Sequence, residues 1–371
     1  MLFFGANVIA NYWLQIPDAE MTLVALSPAI FFVAISSVMR GYFNGRQNIK
    51  ATARSQTIEQ VFKTALTIIL VEIIAVISNV STEWMAGGAT LATTLATMSG
   101  FGYLYLYYKT RRKEIATEIK STVNYKYERV RTIIKRILIV SIPIALTAIM
   151  SSLNKNIDSF TVVRSLKQFM PEDMALSQYG ILGGKVDTLT SLPLSINVAF
   201  STALVPAISA AKARKDKKTI TEKTSFSLLT SMLIGLPCTI GMCIFAGPIL
   251  NLLFPNASDG TVILQISSLT ILFTILDQTI NGALQGYGKL KIPTISLGIG
   301  VLVKLILNLI LVPIPEIGVN GAAWASVACH AVAFTIAITA LRKNIKLNLT
   351  FSKFVIKPVL ATAIMGICSY F

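Results

Sequence analysis

Long apolar runs, broken by short polar segments, extend over the whole chain. The pattern predicts eleven helices, at about 1–16, 21–43, 55–77, 86–108, 133–160, 181–206, 226–247, 261–285, 292–312, 321–341 and 354–371. Most runs hold roughly 17–25 residues, the length needed to cross a hydrocarbon core about 30 Å thick. Pro28, Pro143, Pro193 and Pro237 fall inside runs and are expected to kink their helices.

The pattern also repeats. Gly41-Tyr42-Phe43-Asn44-Gly45, Lys50, Lys63 and the apolar run from Ile68 recur 241 residues later as Gly282-Ala283-Leu284-Gln285-Gly286, Lys291, Lys304 and the run from Leu309. Arg40 with Gly41 and Gly45, and Gly282 with Gly286, read as a turn motif used twice. The copies fall on helices two to four and eight to ten of the series. An even number of crossings separates them, so the repeat is parallel, about an axis along the membrane normal. The fold class expected is an all-α polytopic membrane protein of two parallel six-helix lobes. Residues 1–130 make a first lobe that reads as lacking two helices and part of a third. Residues 131–345 make a second, complete lobe. Residues 346–371 begin an additional helix that stops inside an apolar run. Met1 opens within apolar sequence without a basic leader, so no signal peptide is expected.

Composition agrees. Hydrophobic residues make up 54% of the 371 and charged residues 13%, with a mean hydropathy of +0.67; a soluble domain carries about a quarter charged residues. The net charge of +16 raises the possibility of a nucleic-acid partner, which its distribution argues against. Of 33 Lys and Arg, 27 lie in alternate breaks, at 40–54, 109–136, 212–223, 289–291 and 342–357. The breaks at 17–20, 78–85, 248–260 and 313–320 contain none. This is the positive-inside pattern, with basic breaks cytoplasmic and able to attract anionic lipid headgroups. It predicts a multi-pass membrane protein with its basic breaks in the cytoplasm. Cys238, Cys243, Cys329 and Cys368 sit inside apolar runs and read as packing residues, and His330 is the single histidine. No metal site, cofactor motif or catalytic set is expected, and the protein is not expected to be an enzyme.

Charged side chains at bilayer depth are costly and face a cavity or a partner. In the run 55–77, Gln56, Glu59, Gln60, Lys63 and Thr67 fall within about a 100° arc at 100° per residue. Glu59 and Lys63 form an i,i+4 pair, and the stripe reads either as cavity-facing or as an internal ion pair. Lys304 is the repeat partner of Lys63, and Asn308 that of Thr67. Two such lysines are suited to flank a central path and attract a pyrophosphate, or else to snorkel to the cytoplasmic headgroups. Asp158 can pair with Lys155 or bind a coupling cation. A straight helix carries Asn154 to Asp158, with Arg164 beyond, to the outer interface; a longer helix kinked at Pro143 places them in the cavity. Asp277 is an unpaired acid near mid-span and a second coupling-ion candidate, with a hydrogen bond to a neighbouring helix as the alternative. Lys185 and Asp187 read as a solvated outer mouth, and His330 as a hydrogen-bonded packing residue.

Several segments together resemble one family. They are Ser27-Pro28-Ala29-Ile30-Phe31-Phe32, Arg40 to Asn48, Ser55 to Val61, Asp158 to Arg164, Tyr179-Gly180-Ile181-Leu182, Ser201 to Ile208 and Gly282 to Gly286. They resemble the flippases grouped with stage V sporulation protein B. That group belongs to the polysaccharide-transport branch of the multidrug/oligosaccharidyl-lipid/polysaccharide superfamily, which includes lipid II flippases of the MurJ type. The resemblance implies fourteen helices in two six-helix lobes plus two extra C-terminal helices. It also implies export of a lipid-linked oligosaccharide or peptidoglycan precursor. The family's first two helices, with their cavity arginines, have no counterpart here. The expected partners are membrane lipids and a lipid-linked glycan, with H+ or Na+ as possible coupling ions. The alternatives are a small-molecule or drug cation exporter of the same superfamily, a non-transporting scaffold for cell-wall or spore-coat assembly, and a membrane-embedded polymerase. The last is disfavoured by the lack of a sizeable outer loop rich in acids.

Overall fold

The apolar runs become helices. The computed structural model describes residues 2–14, 19–46, 48–76, 82–121, 128–255, 257–347 and 352–370, which cluster into two compact units, Met1–Tyr127 and Glu128–Phe371. In the first unit, α1 (Leu2–Val8) continues through a π-helical stretch, Ile9–Leu14, and lies on α2 (Ala19–Gly45). α3 (Ile49–Val76) and α4 (Thr82–Ser121) follow, with α4 packed along both α2 and α3. α4 outruns its apolar stretch: from Lys109 to Ser121 it extends about 20 Å further at 1.5 Å per residue.

The second unit begins with α5 (Val130–Leu166), a single helix that runs past the expected end at 160. Next come α6 (Glu172–Gly180), a π-helical stretch at Ile181–Val186 and α7 (Asp187–Ala213), then α8 (Lys217–Ile244) and the short α9 (Ala246–Leu253). α10 (Thr261–Gly286), α11 (Lys291–Leu311), α12 (Val319–Asn344) and α13 (Lys357–Tyr370) complete it. α10 is the hub, packing against α7, α8 and α12 and burying Ile271, Ile275, Ile280 and Leu284. α11 lies against α12 and α5, and α13 against α8. The buried face of α12 is a row of small residues, Ala322, Ala325, Cys329, Ala333 and Ala337, which lets neighbouring backbones approach closely. Large apolar side chains such as Ile139, Ile306 and Leu309 are instead exposed on the outer faces, as a lipid solvent requires.

Two expectations change. Seven described helices are long and apolar enough to span a membrane, not eleven. α3 carries Glu59, Lys63 and Glu72, α4 is rich in Gly, Thr and Tyr, and α1 and α13 are short. The glycine motifs, moreover, are not turns. Gly41 and Gly45 lie in the last turns of α2, and Gly282 and Gly286 in those of α10. A Cβ on Gly282 or Gly286 would lie 2.7 Å from the Ser201 or Val205 carbonyl oxygen of α7, so these glycines are helix contacts. Among the described residues, Gly41 and Gly45 meet nothing within 4 Å.

The α7–α8 junction supplies a pH-dependent prediction. Lys215 turns the chain at φ 58°, and Asp216 caps α8, accepting from the Thr219 N–H at 3.0 Å and the Thr219 hydroxyl at 2.6 Å. The hydroxyl bond, then the backbone bond, hold this carboxyl below its ordinary value of 3.8. A depressed folded pKa gives stability that is present above 3.8 and lost as pH falls through the lower, folded value. Asp216→Asn should therefore flatten the acid limb of the unfolding midpoint against pH below 3.8, leaving the neutral region parallel to wild type.

Candidate functional site

A buried polar cluster joins α5, α11 and α12. Asn154, Asp158 and Thr161 share a face of α5 by helical spacing; Lys304 and Asn308, one turn apart on α11, meet them. Lys304 Nζ donates to Asp158 Oδ2 at 2.6 Å and to the Asn154 carbonyl at 2.9 Å. Asn308 Nδ2 donates to Asp158 Oδ1 and to the Thr161 hydroxyl, both at 2.9 Å. From α12, Cys329 Sγ lies 3.5 Å from Asn154 Oδ1, and His330 Nε2 lies 3.4 Å from Asn154 Nδ2. The Lys304 and Asp158 side chains are only 4% and 9% exposed. Taking both charges out of water is offset by their attraction and by these hydrogen bonds.

This geometry corrects three expectations. Asp158 pairs with Lys304, not Lys155, because α11 brings the ammonium to the buried side of α5 while Lys155 stays exposed. Lys304 is consumed by that pair and is neither an open cavity lysine nor a snorkelling one. Lys63 and Lys304 are also not equivalent, since Lys63 is exposed on α3. Arg164 is exposed in the last turn of α5, where a cation suits the helix dipole. Lys185 Nζ donates to the Ala257 carbonyl at 2.5 Å.

Asp277, on α10, is buried at 7% exposure; its Oδ2 accepts from Asn281 Nδ2 at 2.8 Å, and its Oδ1 has no donor among the described residues. The sequence reading passed over Asn197 altogether. It is fully buried in α7, donates to the Ile275 carbonyl at 2.9 Å and to Gln278 Oε1 at 3.0 Å, and accepts from the Ser231 hydroxyl of α8 at 2.9 Å. A lone Asn within the run 181–206 was the available signal.

In the first unit, Arg40 replaces Lys63 as the partner of Glu59, with Nη2 to Oε2 at 2.5 Å and Nε to the Ser55 hydroxyl at 3.0 Å. The pair forms because Gly100 of α4 leaves room: a Cβ there would stand 3.2 Å from Glu59 Oε2. Gln60 and Lys63 remain exposed. At 18% exposure on both sides the pair is partly screened. Glu59→Gln should lower stability by about 1–2 kcal/mol, between exposed and buried pairs, as read from unfolding in detergent. Nearby, a cavity of about 300 Å³ is lined by Asn48, Lys50, Arg54, Tyr103, Tyr107 and Arg111.

The family model for the lipid II flippase MurJ matches residues 26–371. The chain belongs to the MurJ lipid II flippase family. Among its curated relatives is stage V sporulation protein B of Bacillus subtilis (strain 168), 25% identical over 371 residues, covering 100% of this chain and 70% of the relative. Another is lipid II flippase MurJ of the same strain, 25% identical over 315 residues, covering 82% of this chain and 57% of the relative. Among solved structures, a lipid II flippase MurJ in an inward closed conformation superimposes with TM-score 0.64 at 18% identity, covering 95% of this chain and 68% of that one. An inward-facing multidrug resistance MATE transporter gives TM-score 0.63 at 18% identity, covering 89% and 72%. The MurJ and MATE likenesses fix the all-α polytopic fold. Membership of the MurJ family makes the chain a multi-pass membrane protein of a flippase family, whose substrates are lipid-linked.

Proposed function

We propose that this MurJ-family protein moves an isoprenoid-pyrophosphate-linked glycan or peptidoglycan precursor from the inner to the outer leaflet by alternating access. The observation that carries the reading is the family match over residues 26–371. The basic breaks face the cytoplasm in this reading, and the two units are the two lobes. Lys50, Arg54 and Arg111 line a cavity whose charge and tyrosine walls suit a phosphate group. Among the described residues, Lys63 and Gln60 of α3 are exposed in the first unit and Arg164 of α5 in the second, and the two cations suit an anionic substrate. Lys304 and Asn308 support the second lobe from within. Asp158 already has its counter-charge, so Asp277, with an oxygen unpartnered among the described residues, is the remaining carboxylate for H+ or Na+ coupling.

Transport of a fluorescent lipid-linked precursor in proteoliposomes tests the function. Lys63→Ala should slow it several-fold with the unfolding midpoint unchanged; an unaltered rate takes Lys63 out of the path. Cysteines introduced at Ile115 and Ala257 test orientation. The first should react only from the cytoplasmic side and the second only from outside.

A further inference from the structure

The Lys304 ammonium occupies a place built for a small cation. It is held by a main-chain carbonyl oxygen, Asn154 at 2.9 Å, and a carboxylate oxygen, Asp158 Oδ2 at 2.6 Å, with the lysine side chain 4% exposed. Carbonyl and carboxylate oxygens are the donor set that alkali and other hard cations take. The donors are fixed in advance. Asn308 donates to the second carboxylate oxygen and to the Thr161 hydroxyl, and Cys329 and His330 reach the Asn154 side chain from α12, so three helices converge on the site. Lys63, its counterpart in the sequence repeat, is exposed instead.

We propose that Asn154 and Asp158, braced by Asn308, form a monovalent-cation site whose occupant is the chain's own lysine. The site then neither fills from nor empties to solution. Its charge is tethered by four methylenes to α11, so α5, α11 and α12 stay joined whatever the sodium or potassium concentration. A soluble coupling ion, if one is used, acts elsewhere. This inference concerns a binding site read out by stability and does not rest on the transport reading.

The test uses the purified wild-type protein and Lys304→Ala, with unfolding midpoints measured at constant ionic strength. The wild-type midpoint should be the same in sodium, potassium or choline chloride. Lys304→Ala leaves a carboxylate, a carbonyl and the space of three carbons and an ammonium, the outline of n-propylamine. Its midpoint should fall by roughly 5–10 °C, the size expected for a charge left buried without its partner. It should recover saturably with n-propylammonium, and in part with ammonium or sodium. Asp158→Asn in the same background should abolish the recovery. A saturable rise of the wild-type midpoint with sodium or potassium that disappears in Asp158→Asn would overturn the proposal, and that arm decides whether or not Lys304→Ala folds. A folded Lys304→Ala that responds to none of these cations overturns it equally.

Discussion

Cutting one end of the Lys304–Asp158 pair should destabilise the second unit by about 3–5 kcal/mol, while neutralising both ends should restore most of the loss. Lys304→Met leaves Asp158 ionised and buried with only Asn308 donating to it. Asp158→Asn leaves the Lys304 ammonium buried without a counter-charge, held by the Asn154 carbonyl and by an amide oxygen for which Asn308 competes. Each single variant strands a charge at bilayer depth, where desolvation is not offset. The double variant strands none. The amide introduced at position 158 can still accept from Asn308 and can donate to the freed Asn154 carbonyl, and methionine fills most of the lysine's volume. Unfolding of the three variants in detergent gives the coupling energy as a double-mutant cycle. A double variant as unstable as the sum of the singles would show that the two charges act independently.

The second large effect is at the α7–α10 contact. Gly282→Ala should cost about 1–3 kcal/mol, as overpacking does, while Gly41→Ala, its repeat equivalent, should be neutral or stabilising by up to about 1 kcal/mol in this chain, the helical advantage of alanine over glycine. A Cβ at Gly282 meets the Ser201 carbonyl at 2.7 Å and its hydroxyl at 2.8 Å, and that hydroxyl is already bonded to the Gln278 carbonyl at 2.6 Å. The obstacle is largely backbone, so α7 must move away from α10 and strain the Asn197 network one turn further on. At Gly41 nothing among the described residues stands within 4 Å. Equal effects at the two glycines, measured by the same unfolding assay, would contradict this reading of the repeat.

Much of the architecture was legible from the chain, because apolar length and repeat period are local properties. Among the described residues each expected run falls on a helix, and the repeat drew attention to Lys304 and Asn308, which lie in a buried polar cluster. Pairing was less legible. The i,i+3 and i,i+4 rules see partners on one helix only, so they offered Lys155 to Asp158 and Lys63 to Glu59. The true partners are separated by 146 residues for Lys304 with Asp158 and 19 for Arg40 with Glu59. Close packing decided both, through the seating of α11 on α5 and the gap left by Gly100 beside Glu59. The same limit made Gly41–Gly45 and Gly282–Gly286 look like turns. A glycine spaced for a turn and one spaced for a helix contact are identical until the neighbouring helix is in place.

The central claim, that this MurJ-family chain moves a lipid-linked precursor, is tested most directly in proteoliposomes. A fluorescent isoprenoid-pyrophosphate-linked glycan is placed in both leaflets and the outer-leaflet fraction is quenched over time. Vesicles containing the protein should lose fluorescence from both leaflets, while protein-free vesicles retain the inner-leaflet half. Inner-leaflet fluorescence as persistent with the folded protein as without it would contradict the account.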